Sequence, residues 1–176
     1  AYWVFCWASG LALASTILSH PELVRGRSVL DFGAGSGVVS VAAARAGARR
    51  VVACDCDTDA LAAVRANAEL NGVGIETAES LLEVERPFDL MMLADVLYDR
   101  ENLPLLERLG PYARGLVIAD ARVDPAVLER YELVGERDSA TLPELGGFDE
   151  ARLVRFFVPR RGDPETAARW RSALAG

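Results

Sequence analysis

Apolar positions along the chain fall into two alternating rhythms. Leu11, Ala14, Ile17 and Leu18 recur at the spacing of one helix face, which predicts a helix over Gly10 to Ser19 that Pro21 brings to a stop. Beyond it, short apolar runs alternate with longer amphipathic ones. Arg27 to Asp31 predicts a strand, the glycine-rich stretch through Gly37 a loop, and the Ala-rich VVSVAAARAG, closed by Gly47, a helix. Arg50 to Asp55 predicts a second strand. Asp57 to Asn71, with an acid at its start and Asn-Gly at its stop, predicts a second helix. Gly74 to Ala78 is a short third strand, and Phe88 to Ala94 is almost wholly apolar, as a central parallel strand buried on both faces should be.

The same alternation continues with a helix over Glu101 to Leu109 and a strand over Gly115 to Asp120, then loosens. Pro125 to Arg130 predicts a short helix, Tyr131 to Asp138 a strand, Ser139 to Asp149 a loop, and Ala151 to Val158 a last strand inserted antiparallel. The tail from Gly162 predicts a helix capped by Asp163 with Pro164 at its first position. Strand, loop and helix in repetition give an α/β protein with a parallel sheet and helices on both faces. At 176 residues the chain fits one domain. Ala1 to His20 carries no charge, but Ser9, Gly10, Ser15, Thr16 and Ser19 interrupt it, so it reads as a packed segment and not a membrane span. The opening at Ala1, not Met, reads as a piece of a longer protein.

Composition narrows the chemistry. A net charge of −7 and a pI near 4.8 oppose a phosphate-neutralising nucleic-acid surface. Hydrophobic residues at 51% and a mean hydropathy of +0.16 supply a full core. All 19 basic residues are Arg, so lysine Schiff-base and P-loop chemistry are excluded. Three cysteines, an odd number, suit a reduced cytoplasmic protein. One His (His20) and no CxxC or HExxH leave no metal site of ordinary spacing.

Gly33, Gly35 and Gly37 alternate between a strand and a helix, where they allow a tight turn and close backbone approach by a nucleotide-like cofactor. The dinucleotide fingerprint wants Gly or Ala where this chain has Val38, which disfavours NAD. Asp31, at the strand end, suits a cofactor with a cationic amino-acid end, which S-adenosylmethionine has. Asp55 follows 24 residues later, where a doubly wound fold puts the acid that holds a ribose. Asp55, Asp57 and Asp59 imitate a calcium loop, but Ala60 and Ala66 stand at its Gly and Glu positions, so Asp57 and Asp59 read as helix-capping acids.

The motif V-L-D-F-G-A-G-S-G, with A-D-V-L-Y-D at the end of the fourth strand, resembles class I S-adenosylmethionine-dependent methyltransferases. More narrowly, four features resemble the electron transfer flavoprotein β-subunit lysine methyltransferases within the seven-β-strand protein lysine and N-terminal methylases: Tyr2-Trp3-x-Phe5-x-Trp7-x-x-Gly10, Val24 to Asp31, Asn67-x-Glu69-Leu70-Asn71, and Asp95-Val96-Leu97-Tyr98-Asp99. The resemblance runs from Tyr2 to Asp120. It implies a doubly wound, Rossmann-like sheet of seven strands, mostly parallel, with one antiparallel strand near the C-terminus. A single domain would cover 1–176, with 1–22 packing on the cofactor site. It also implies that Trp7, Gly10, Asp31, Gly33, Gly35, Gly37, Asp55, Ser80 and Asp95 hold S-adenosylmethionine, and that Asp95 and Tyr98 flank the transferred methyl. Members often show Gly-Asp-Pro-Gly-Arg after the fifth strand; this chain reads Ala119-Asp120-Ala121-Arg122.

The activity so implied is N-methylation of a lysine on a soluble partner protein, with no nucleic acid and no membrane. Small-molecule N- or O-methylation and a non-catalytic cofactor-binding module are the alternatives. In the implied chemistry the protein aligns a neutral amine with an electrophilic methyl and excludes water. Asp95 would orient the amine and Tyr98 wall it.

Overall fold

The computed structural model describes residues 2–97, 100–143 and 152–176. Seven strands lie among them: β1 (Ser28–Phe32), β2 (Arg50–Cys54), β3 (Glu76–Ala78), β4 (Phe88–Ala94), β5 (Ala113–Asp120), β6 (Tyr131–Asp138) and β7 (Leu153–Pro159). They form one sheet in the order β3-β2-β1-β4-β5-β7-β6. The first five are parallel, and β7 runs antiparallel between β5 and β6. The expected doubly wound sheet with its antiparallel insertion is therefore present. Its order reverses between β1 and β4, the switch point where such sheets open a crevice at their carboxyl ends.

Alternation along the buried strands sorts the core into two layers. Val29, Val51, Leu90, Met92, Val117, Ala119, Phe156 and Val158 face the layer of α1 (Ala8–Ser19), α2 (Val38–Arg45) and α5 (Pro164–Leu174). On the same face, Val64 of α3 (Thr58–Leu70) packs on Ala53. Leu30, Val52, Met91, Leu93, Ile118 and Phe157 face the other way, onto Leu97, Leu109, Val123 and Leu128. This second layer is thin. It consists of 3-10 turns and one short helix, α4 (Leu106–Leu109).

Where elements differ from the sequence pattern, tertiary contacts or proline account for it. The expected helix over Glu101 to Leu109 is a 3-10 helix over Arg100–Leu105 followed by α4, because Pro104 cannot donate to the helical ladder. The expected helix over Pro125 to Arg130 shrinks to a 3-10 turn, Pro125–Val127, with Asp124 accepting from the Ala126 N–H at 2.9 Å. Helix α1 begins at Ala8, ahead of Gly10, and the acid that receives its first turn comes from the end of β4. Other ends follow local chemistry. The Asp57 carboxylate accepts from the Asp59 N–H at 2.9 Å to start α3, and Asp163 accepts from Glu165 and Thr166 at 3.2 and 3.1 Å to start α5. At the far end of α5, the Arg137 guanidinium donates to the carbonyls of Leu174 and Ala173 at 2.7 and 3.0 Å. The second part of the Ser139–Asp149 loop and Ala151 lie outside the described residues. No helix among the described residues is long and apolar enough to cross a membrane.

Trp170 of α5 is fully buried and stacks on Phe156, ring centroids 6.1 Å apart, yet its indole N–H has no partner among the described residues. Two substitutions should therefore separate by more than their volumes suggest. Trp170→Ala is expected to cost about 3–5 kcal/mol in urea unfolding. Trp170→Phe keeps the stack and removes an unsatisfied donor, an offset of about 1–3 kcal/mol, so it should stay within about 1 kcal/mol of the parent.

Candidate active site

Three backbone reversals build the floor of the site. Gly33, Gly35 and Gly37 have φ values of 73°, 54° and 83°, a left-handed run that side chains other than glycine adopt at a cost. Space enforces the same choice: a Cβ on Gly33 would lie 2.7 Å from Val96, and one on Gly37 would lie 3.0 Å from Val64. The loop is tied to its neighbours. Gly33 N–H donates to the Cys54 carbonyl at 2.8 Å, Gly35 N–H to Asp55 Oδ2 at 2.8 Å, and Asn67 Nδ2 to the Ser36 carbonyl at 2.9 Å. Asn67, marked in the sequence only by the family pattern, thus holds the loop from α3. Asp55 sits half-buried beyond β2 and also accepts from the Asp57 N–H at 3.0 Å.

Asp31 is the penultimate residue of β1, just before this loop. It is 2% exposed, and its Oδ2 accepts from Ser40 Oγ at 2.6 Å. Burial pushes its carboxyl up to about 6, with the Ser40 hydrogen bond opposing and the nearby Asp55 charge reinforcing. Beyond β4 the chain turns at Asp95, which has φ 52°, a left-handed conformation that Asp tolerates better than most residues. Its carboxylate receives the start of α1: Ser9 N–H donates to Oδ2 at 3.1 Å, and Ser9 Oγ donates to Oδ1 at 2.6 Å. Arg122 Nη1 also donates to Oδ1, at 3.2 Å. Burial and the Asp120 charge push the Asp95 carboxyl up to about 6 against the pull of Ser9 and Arg122.

The segment before α1 forms one wall. Phe5 and Trp7 meet edge to face with centroids 5.6 Å apart, and the Arg122 guanidinium lies 4.9 Å from the centroid of Trp7. Cys6 exchanges two backbone hydrogen bonds of 2.9 Å with Leu142, and the Ala8 N–H donates to Thr141 Oγ1 at 3.2 Å, so the wall is anchored on both sides.

These parts surround one cleft of about 1050 Å³ at the carboxyl ends of β1, β2 and β4. Trp7, Gly10, Asp31, Gly33, Gly35, Asp55, Ser80 and Asp95 all line it. Gly37 is instead the buried N-cap residue of α2, with Val64 3.0 Å from where its Cβ would lie. Ser80 caps a 3-10 turn, its Oγ accepting from the Leu82 N–H at 3.1 Å. Gly10 lets α1 approach α2, with Val38 3.2 Å from where its Cβ would be. Tyr98 lies outside the described residues. Sequence reasoning did not single out Ser9 or the contact of Arg122 with Asp95. The first carried no signal, while Arg122 was visible only as the cation after β5.

Comparison with known proteins places this geometry. Residues 14–100 match the model of the ribosomal protein L11 methyltransferase (PrmA) family. The electron transfer flavoprotein beta subunit lysine methyltransferase of Rattus norvegicus is 40% identical over 103 residues, 57% of this chain and 40% of that protein. The ribosomal protein L11 methyltransferase of Serratia proteamaculans is 41% identical over 105 residues, 60% of this chain and 31% of that protein. A crystal structure of the ribosomal protein L11 methylase from Lactobacillus delbrueckii subsp. bulgaricus superposes with a TM-score of 0.64 at 21% identity, covering 86% of this chain and 78% of that one. The chain spans about 40% of the length of the rat relative. The likeness to methyltransferases is therefore found in sequence, over residues 14–100, and in the fold of the sheet.

The raised Asp31 carboxyl makes stability depend on pH in a stated direction. Its folded value of about 6 exceeds the ordinary 3.8, so the folded state holds a proton that the unfolded chain has lost. The associated stability is present below pH 4 and disappears as pH rises through 6. A shift of that size corresponds to at most about 3 kcal/mol. Asp31→Asn keeps an acceptor for Ser40 and cannot ionise. In urea unfolding at pH 4 and pH 7, the parent should lose stability relative to Asp31→Asn by up to about 3 kcal/mol.

Proposed function

We propose that this chain is the catalytic domain of an S-adenosylmethionine-dependent methyltransferase that N-methylates a lysine side chain of a protein, of the electron transfer flavoprotein β-subunit type. The observation that carries the reading is the joining of a left-handed glycine loop, two strand-end acids and an aromatic wall around one cleft. The donor set suits the cofactor. Asp31 offers a carboxylate to a cationic amino-acid end, Asp55 offers acceptors to a ribose diol, and the cleft supplies apolar walls between them. Gly33 and Gly35 would admit the cofactor closely, Trp7 and Gly10 would bound it, and Ser80 would meet its adenine. Bound there, S-adenosylmethionine supplies an electrophilic methyl group.

The remaining work falls to this chain's own groups. Asp95, held by Ser9 and met by Arg122, would orient the acceptor amine, and by the family pattern Tyr98 would flank the transferred methyl. Desolvation in the cleft favours the neutral, nucleophilic form of the amine, and exclusion of water keeps the alignment. Three free cysteines suit a reducing, cytoplasmic setting. Methylation of a ribosomal protein is a second reading, favoured by the family match over residues 14–100.

Calorimetric titration tests the cofactor half of this proposal. S-adenosylhomocysteine should bind and NAD should not, and Asp55→Ala should weaken binding by about tenfold or more, the loss expected for hydrogen bonds to a charged group. Failure to bind overturns the methyltransferase reading. For the acceptor half, labelled methyl transfer is measured to the flavoprotein β-subunit, to ribosomal protein L11 and to small amines. Asp95→Asn can still accept from the Ser9 N–H and donate to Ser9 Oγ. It should cut turnover on the preferred acceptor by about 100-fold while leaving cofactor affinity within about threefold.

A further inference from the structure

Arg122 stands in an unusual place for a cation. Its guanidinium lies 4.9 Å from the centroid of Trp7 and 3.2 Å from Asp95 Oδ1, and all three residues line the cleft. The carboxylate it meets is 8% exposed, while the Arg122 side chain is 28% exposed. The buried acid is thus fixed by Ser9, and its cationic partner is the more exposed member of the pair. Asp120, fully buried at the end of β5, adds a second carboxylate; its Oδ1 accepts from the Arg122 and Val123 N–H groups at 2.8 and 2.7 Å, and its Oδ2 has no partner among the described residues.

An aromatic face beside a carboxylate is the combination that recognises alkylammonium groups: the ring quadrupole and the ionised acid both favour a cation, and neither favours a neutral group. We infer that the Trp7 face and the Asp95 carboxylate form a seat for an organic cation, and that Arg122 fills this seat in the free chain. A cationic acceptor side chain must then displace the guanidinium to dock. This assignment rests on the methyltransferase reading for the identity of the acceptor, not for the existence of the seat. An internal occupant acts as a competitor: an external cation binds with its intrinsic affinity reduced by the fraction of seats left open. Arg122 is therefore a specificity-determining residue, because a ligand without charge has nothing to offer in exchange.

The test uses n-butylammonium as probe and butan-1-ol as its neutral counterpart, with no cofactor present, reading the indole N–H resonance of Trp7. Arg122→Gln should bind n-butylammonium at least tenfold more tightly than the parent chain. Arg122→Lys, which retains an internal cation, should stay near the parent, and butan-1-ol should not discriminate among the three. Equal affinity of the parent and Arg122→Gln for n-butylammonium overturns the proposal, as does an equal gain for butan-1-ol. Should Arg122→Gln not fold, the parent alone decides: the Arg122 Nε–H and Trp7 resonances must shift with one midpoint, and movement of Trp7 without Arg122 overturns it. Loss of S-adenosylhomocysteine binding would instead overturn the methyltransferase reading and leave this result standing.

Discussion

Three carboxylates stand at the ends of three adjacent strands, and each is buried: Asp31 next to last in β1 at 2% exposure, Asp95 just after β4 with its side chain at 8%, and Asp120 at the end of β5 at 0%. An ionised carboxylate taken out of water is tolerated only where donors meet it. The donors recruited here arrange the molecule. Asp31 takes Ser40 from the first turn of α2, Asp95 takes Ser9 from the first turn of α1, and Asp120 takes the N–H groups of Arg122 and Val123. Acids at helix starts also complement the helix dipole. Two helices of one layer are thereby registered against the strand ends, and their close crossing at Gly10 and Val38 follows.

The unequal layers explain the size of the cleft. Four of the five α-helices among the described residues cover one face of the sheet, and β3 reaches β4 through a single 3-10 turn, Leu81–Glu83, where a doubly wound fold has room for a helix. The cleft extends into that gap, from the glycine loop past Leu81 and Leu109 to Arg86 and Tyr112. Arg86 closes its far end over the Tyr112 ring, 5.1 Å from the centroid. A thin layer on one side and a well-packed layer on the other set a packed platform beside an open channel.

Much of this was legible in the order of residues. β4 and β6 begin and end where the apolar pattern does, because their flanks carry turn chemistry and nothing distant competes. Asp57 and Asp163 cap the helices they precede, an interaction spanning three residues. The glycine loop and its acids come together because strand-loop-helix geometry is local too. What escaped depends on partners far along the chain. Ser9 and Asp95 are 86 positions apart, and the contact that fixes the start of α1 has no local counterpart. Arg122 meets Asp95 across two strand ends. Gly37 shares the motif of Gly33 and Gly35, but its place as the N-cap of α2 against Val64 is a tertiary contact that the motif does not carry.

Asp31 and Asp95 are both pushed up to about 6, and burial is the leading cause for both, yet they are not equivalent. Among the described residues Asp31 meets a hydroxyl and the charge of another acid but no cation, whereas Asp95 already meets Arg122. A cation arriving at Asp31 supplies the charge the site lacks, so it ionises the acid and releases a proton near pH 6. A cation arriving at Asp95 exchanges with one already present, and the net change in charge is smaller. Under the proposed function, docking at the two acids would couple differently to protons: the inner one to its ionisation, the outer one to displacement of Arg122. The difference follows from which strand end has an arginine within reach.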